Sequence, residues 1–278
     1  MKKKLFPSIY MILATLLGLG CTGWLLSLLF KYYDASSNGF SAPGSALTAL
    51  GIVLFVLAVA AFLFRWKLVG KTDDAKIMPK AVYGVLAALF LASGVLSVIK
   101  LLSTKQYITS TLFYAFALLS TSFSFVVALF FALKLTRFEK KTEQFSLIVP
   151  VWLLFMIGSS YFNTAFTYVS FTRNVLNLSL AAMLLFTMAE VREYIGRKYF
   201  ALLCASSASA IILGTTAIVS RYVFIIGKGA TLLFSDCQEI AVFAMLVYVV
   251  LSSVYKNHTI EKEPPKVEEK QTEEPPEQ

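Results

Sequence analysis

The chain has 278 residues, of which 58% are hydrophobic and 15% charged, and its mean hydropathy is +0.73. No soluble core of this size has room for so much apolar surface, so soluble domains are excluded and lipid is the expected solvent. The formal net charge of +9 is scattered between hydrophobic runs rather than gathered on one face. That pattern argues against nucleic acid and for helix ends anchored among anionic lipid headgroups.

Eight apolar stretches follow one another: Ile9–Phe30, Ser45–Phe64, Ala81–Ile99, Tyr107–Leu133, Phe145–Phe166, Asn174–Val191, Phe200–Ser220 and Ser235–Tyr255. Each is about long enough to cross ~30 Å of hydrocarbon, and each is bounded by Lys, Arg, Pro-Gly or an Asn-rich turn. The first, behind Lys2, Lys3 and Lys4, is too long for a signal peptide and lacks a small-residue cleavage site. Gly18 stands where a lipoprotein site ahead of Cys21 would prefer Leu, so an uncleaved first span is expected.

Placing these spans in alternating directions sorts the basic residues. Lys31, Lys100, Lys105, Arg173, Arg221 and Lys228 fall on one side, and the other 19 of the 25 Lys and Arg fall on the opposite one. The crowded side is read as cytoplasmic. The expectation is therefore an all-α polytopic membrane helix bundle with eight transmembrane helices in the cell membrane and both termini in the cytoplasm. It comprises a transmembrane domain over residues 1–255 and an acidic disordered tail over 256–278. The tail, rich in Glu and Pro, cannot bury enough apolar surface to fold, and its repeated Glu-Pro-Pro could dock a protein partner.

Between the first two spans lies FKYYDASSNGFSAPG. Tyr33-Asp34, then Gly39, then Pro43-Gly44 resemble a segment found in uncharacterised multi-span integral membrane proteins of anaerobic Gram-positive bacteria. The resemblance implies location and architecture and transfers no functional residues.

The stretch Phe145–Lys198 reads as a hairpin around which polar residues gather. Ser160, Asn163, Thr164 and Thr167 fall at i, i+3, i+4 and i+7, on one helical face. Arg173, Asn174 and Asn177 occupy the first turns of the returning arm. A polar stripe in an apolar span is costly unless it faces protein or water. Tyr161 and Tyr168 flank that stripe.

Catalysis is limited by what is missing. The one histidine, His258, lies in the tail, and Cys21, Cys204 and Cys237 have no paired spacing. No catalytic residue, metal site or cofactor is therefore expected. Asp34, Asp73 and Asp74 sit in connections, and Asp236 stands alone at the mouth of the last span. What remains is an outer cluster of Asp236, Gln238 and Glu239, with Asp236 and Glu239 sharing a face at i, i+3. Arg221 and Arg173 end nearby spans on the same side, and either could pair with Glu239. Two readings stay open: an outward site for a small polar or anionic ligand, and a structural ion pair that pins helix ends. Membrane lipids are the other expected partner. Transport of a small solute is the rival function, although no span carries a mid-membrane charge. Ser206/Ala210/Gly214, Gly18/Thr22 and Gly84/Ala88 read as small-residue packing seams, and Glu190, Arg192, Glu193 and Arg197 as a solvated helix end.

Overall fold

The structure, a computed structural model, describes residues 6–34, 39–40, 43–63, 78–104, 110–135, 145–162, 170–196, 200–228 and 234–258. Helix is the element such apolar runs must form, because only a helix bonds its backbone groups within the segment when no water is at hand. In chain order the helices are α1 (Phe6–Tyr32), α2 (Gly44–Leu63), α3 (Lys80–Thr104), α4 (Thr111–Lys134), α5 (Ile148–Phe162) and α6 (Ser170–Gly196). They are followed by α7 (Phe200–Gly214), a π-helical turn (Thr215–Val219), α8 (Ser220–Lys228) and α9 (Phe234–His258). A minimal antiparallel pair, β1 (Tyr33–Asp34) with β2 (Gly39–Phe40), follows α1. Ser110 caps α4 by accepting the Phe113 N–H at 3.2 Å.

Seven helices among the described residues are long and apolar enough to cross a membrane, not eight. The run Phe200–Ser220 extends through the π turn into α8, and the stretch Leu202–Lys228 counts as one of the seven. The difference lies at the expected fifth span, where α5 has 15 residues. At 1.5 Å per residue it covers about 22 Å, short of the hydrocarbon thickness. Pro150 sits in its first turn, where the missing N–H costs nothing. Asn163, Thr164, Thr167 and Tyr168 lie outside the described residues, as does the tail from 259.

Six of these segments pack in a closed circuit: α7 on α6, α6 on α5, α5 on α4, α4 on α3, α3 on α9, and α9 back on α7. Helices α1 and α2 lie against the other side of α7. Consequently the stretch 203–218 is buried throughout, whereas most of Gly44–Ala61 is not. The outer helices present large apolar side chains such as Leu16, Ile52, Phe55 and Leu63, each more than half exposed. A face of that kind is stable against lipid and would be an aggregation site in water.

The circuit is filled by aromatic rings, one from each of five helices. Phe90 of α3 meets Trp152 of α5 edge-on at 4.9 Å and Phe131 of α4 at 5.6 Å. Tyr248 of α9 lies 5.4 Å from Phe131 and 6.3 Å from Phe186 of α6. All five are buried. Offset and edge-to-face pairs at these spacings each add about 0.5–1.5 kcal/mol beyond area burial.

Where α1 crosses the π turn, a Cβ on Gly18 would strike Thr215 Oγ1 and come within 3.2 Å of the Ile212 Cα. Thr215 can rotate away, but the backbone at Ile212 cannot. Gly18→Leu is therefore expected to destabilise the fold by about 1–3 kcal/mol, as overpacking does. Thermal unfolding of the detergent-solubilised protein checks it, and an unchanged midpoint would contradict the close crossing.

Candidate functional site

Polar side chains inside this bundle are arranged in levels along α9. One end of the bundle is where α9 begins, at Phe234, and the other is where it finishes, at His258. At the Phe234 end, the π turn hands the chain on to Ser220 and Arg221 at the start of α8. Thr215 and Thr216 turn their hydroxyls back to the carbonyls of Ile211 and Ile212 at 2.7 and 2.8 Å, which satisfies their donors without a partner helix. Arg221 instead reaches across to α9. Its Nη1 donates to Glu239 Oε1 at 2.6 Å, and its Nη2 donates to Ser235 Oγ at 3.1 Å and pairs with Asp236 Oδ1. Tyr222 Oη donates to the Asp236 carbonyl at 2.7 Å. The Arg221, Asp236 and Glu239 side chains are at most 9% exposed. Lys100, near the same end of α3, lies within electrostatic range of Cys237 and brings a second cation to this end.

This cluster ties the end of one helix to the start of the next. Its guanidinium is already engaged by two carboxylates and a hydroxyl, so an incoming anion would meet two like charges at close range. The cation on Glu239 is Arg221. The geometry favours the pinning ion pair over an anion site at these residues, since charge-assisted contacts of this kind hold only when all members are present.

At the same height, on the face of α9 turned toward α4 and α5, the polar groups carry no charge. Gln238 Nε2 donates to Ser120 Oγ at 2.6 Å, and Ser159 Oγ donates to Gln238 Oε1 at 3.0 Å, so one amide links α9, α4 and α5. Ser93 of α3 donates to the Cys237 carbonyl at 2.7 Å. Trp152 Nε1 donates to Ser124 Oγ at 3.0 Å, which fixes the upper edge of the aromatic fill to the same level. Toward the Phe234 end lies a small apolar cap of Leu101, Phe113, Ala117 and Phe234, with Phe162 packed against it. Phe113 and Phe234 meet edge-on at 6.0 Å. The amide level is thus enclosed between an apolar cap and an aromatic fill.

Beyond the aromatic fill, toward His258, Glu190 of α6 accepts hydrogen bonds from Tyr248 Oη at 2.8 Å and Ser252 Oγ at 3.2 Å. This corrects the solvated helix end expected there, because Glu190 is half-buried and bonded to α9. The side chains of Arg192, Glu193 and Arg197 lie outside the described ones.

The remaining expected site residues are dispersed. Ser160 is buried on α5, while on α6 Arg173 and Asn177 are half-buried and Asn174 is exposed. Ser160 Oγ and Asn177 Oδ1 are buried atoms with no hydrogen-bond partner. Ser93, Ser97, Ser120 and Ser159 escaped the sequence reading. The available signal was the i, i+4 hydroxyl pairs Ser93/Ser97 and Ser120/Ser124, at the depth of Gln238. Among the described residues, no group of three His, Cys, Asp or Glu could hold a metal ion. Searches of family models, characterised proteins and solved structures find no match to this chain.

Proposed function

We propose that this is a non-enzymatic membrane protein that binds a small polar ligand at the Phe234 end of its bundle, which the distribution of Lys and Arg assigns to the outer face. The observation that supports this most directly is the amide level, Gln238 with Ser120 and Ser159, enclosed between the cap at Phe113 and Phe234 and the rings at Trp152 and Phe90. Polar groups buried in a bilayer protein are costly, and they are kept where something is recognised. The Arg221 cluster then serves as the clamp that holds α8 and α9 around that level.

The test is a panel of neutral, anionic and cationic small solutes applied to the full chain in lipid nanodiscs. At least one class should raise the unfolding temperature saturably, as mass action requires. Gln238→Leu should abolish the effect. A panel without any saturable shift, or one that Gln238→Leu leaves intact, would refute the reading. A second reading, transport of the same solute, is favoured by the Glu190, Tyr248 and Ser252 cluster on the far side of the rings, carried by the same helix α9. Flux of the bound solute into reconstituted vesicles, sensitive to Glu190→Gln, would establish transport. Saturable binding without flux would leave the binding module.

A further inference from the structure

Two lysines from different helices meet at the His258 end of the bundle. Lys80 is the first residue of α3 and Lys134 the last of α4. The Lys134 ammonium lies 4.8 Å from the centre of the Phe130 ring and 5.5 Å from that of Tyr83. Those rings are 4% and 8% exposed, so the cation is folded back over the contact between α3 and α4. Tyr83 in turn stacks on Phe131, beside Tyr248. Gly84 faces the same end of α4, because a Cβ there would come within 3.7 Å of the Leu135 side chain. Lys80 stands three residues before Tyr83 and four before Gly84. Its direction therefore falls between theirs, on the face of α3 turned toward the end of α4.

The edge so formed lies where the apolar spans stop. Lys80 opens the span Lys80–Ser103, and Lys134 closes Thr111–Lys134. That is the depth of headgroup phosphates. Toward the bilayer, Leu91 follows Lys80 by about three turns on the same face, and Leu91, Ala88 and Leu135 are exposed. The first turn of α3 carries no acid. Glu190, the acid described at this end, accepts hydrogen bonds from Tyr248 and Ser252. A Lys134 side chain laid across two rings has already given up rotamer freedom, so closing on an anion costs it less than a lysine extended in water. General attraction of lysine to an anionic surface requires no particular arrangement. Here two helices bring two ammonium groups to one edge, above an exposed apolar seam.

We propose that the Lys80–Lys134 edge of the α3–α4 pair holds the headgroup of an anionic glycerophospholipid, whose acyl chains lie along Ala88, Leu91 and Leu135. The site is separate from the ligand proposed for the Phe234 end and stands or falls without it.

The experiment titrates the full chain in neutral detergent micelles with phosphatidylglycerol, with phosphatidylcholine and with inorganic phosphate. Bound lipid is counted by native mass spectrometry, and stabilisation is read from the unfolding temperature. Phosphatidylglycerol should bind saturably and raise the midpoint, and phosphatidylcholine should bind about thirtyfold more weakly. Lys80→Gln and Lys134→Gln should each weaken phosphatidylglycerol about fivefold, whereas Lys80→Arg should keep its affinity. Lys80→Gln leaves the ring contacts in place, so the lipid-free midpoint should not move. Lys228→Gln removes a cation from the opposite end and should leave the affinity unchanged. Equal affinity for the two lipids, or equal weakening by Lys80→Gln and Lys228→Gln, would reduce the site to general surface attraction and overturn it. Affinity untouched by both Lys80→Gln and Lys134→Gln overturns it too. If inorganic phosphate alone raises the midpoint in a Lys80-dependent way, the edge takes a soluble anion and the lipid assignment falls.

Discussion

Replacing Arg221 with methionine is expected to destabilise the protein by about 3–5 kcal/mol, because two carboxylates then remain in a low-dielectric interior without their guanidinium. Arg221 bonds Glu239 at 2.6 Å, Ser235 at 3.1 Å and also Asp236, so a single substitution unmakes three contacts at once. The penalty belongs to the abandoned charges rather than to the lost pair. The combined variant Arg221→Met, Asp236→Asn, Glu239→Gln should therefore recover most of the stability, since a neutral set of similar volume no longer buries uncompensated charge. Equilibrium unfolding in mixed micelles distinguishes these outcomes. If Arg221→Met cost under 1 kcal/mol, or if the triple variant were no better than the single one, the cluster would not be the clamp described above.

Trp152→Ala should cost about 3 kcal/mol, the lower edge of the range for removing a large buried aromatic residue. The reason for the lower edge is the solvent. Lipid chains are as apolar as the core, so the transfer part of the usual penalty is small, and the loss is mainly that of packing contacts around the cavity. Trp152 is fully buried, edge-on to Phe90 at 4.9 Å, and bonded through Nε1 to Ser124 at 3.0 Å. Trp152→Phe keeps the ring contact and loses the hydrogen bond, so it should cost less, about 1 kcal/mol. Unfolding midpoints of the two variants provide the check. Equal midpoints for Trp152→Ala and the native protein would show that the aromatic fill does not hold the circuit together.

The helical architecture was legible because hydropathy and length act on each segment separately. A run such as Gly44–Leu63 or Phe234–Ser253 needs no tertiary information to be read as a span. The stretch from Phe145 was read as one long arm from its apolar composition, of which the described helix covers 15 residues. Of that arm the structure describes the helix Ile148–Phe162, and Asn163, Thr164 and Thr167 lie outside the described residues. In the candidate site, Asp236, Glu239 and Arg221 stood out because charge inside an apolar run is conspicuous. Gln238 stood out with them, but its partners Ser120 and Ser159 did not, for a physical reason. Serine and threonine in a membrane helix usually bond to their own backbone, as Ser206 and Thr215 do. Only the packing distinguishes those from Ser120 and Ser159, which bond a glutamine on another helix. Glu190 was misjudged on the same basis, since its partners Tyr248 and Ser252 lie some sixty residues away in sequence.

The burial of α7 on every side has a consequence for how the protein is made. Its neighbours α1 and α2 leave the ribosome long before it does, and α9 leaves after it. The first two helices must therefore wait in the bilayer, each stable alone as a greasy rod, until the axle they will surround is delivered. Assembly of this protein is thus a late event, completed only when α9 brings the acids that receive Arg221.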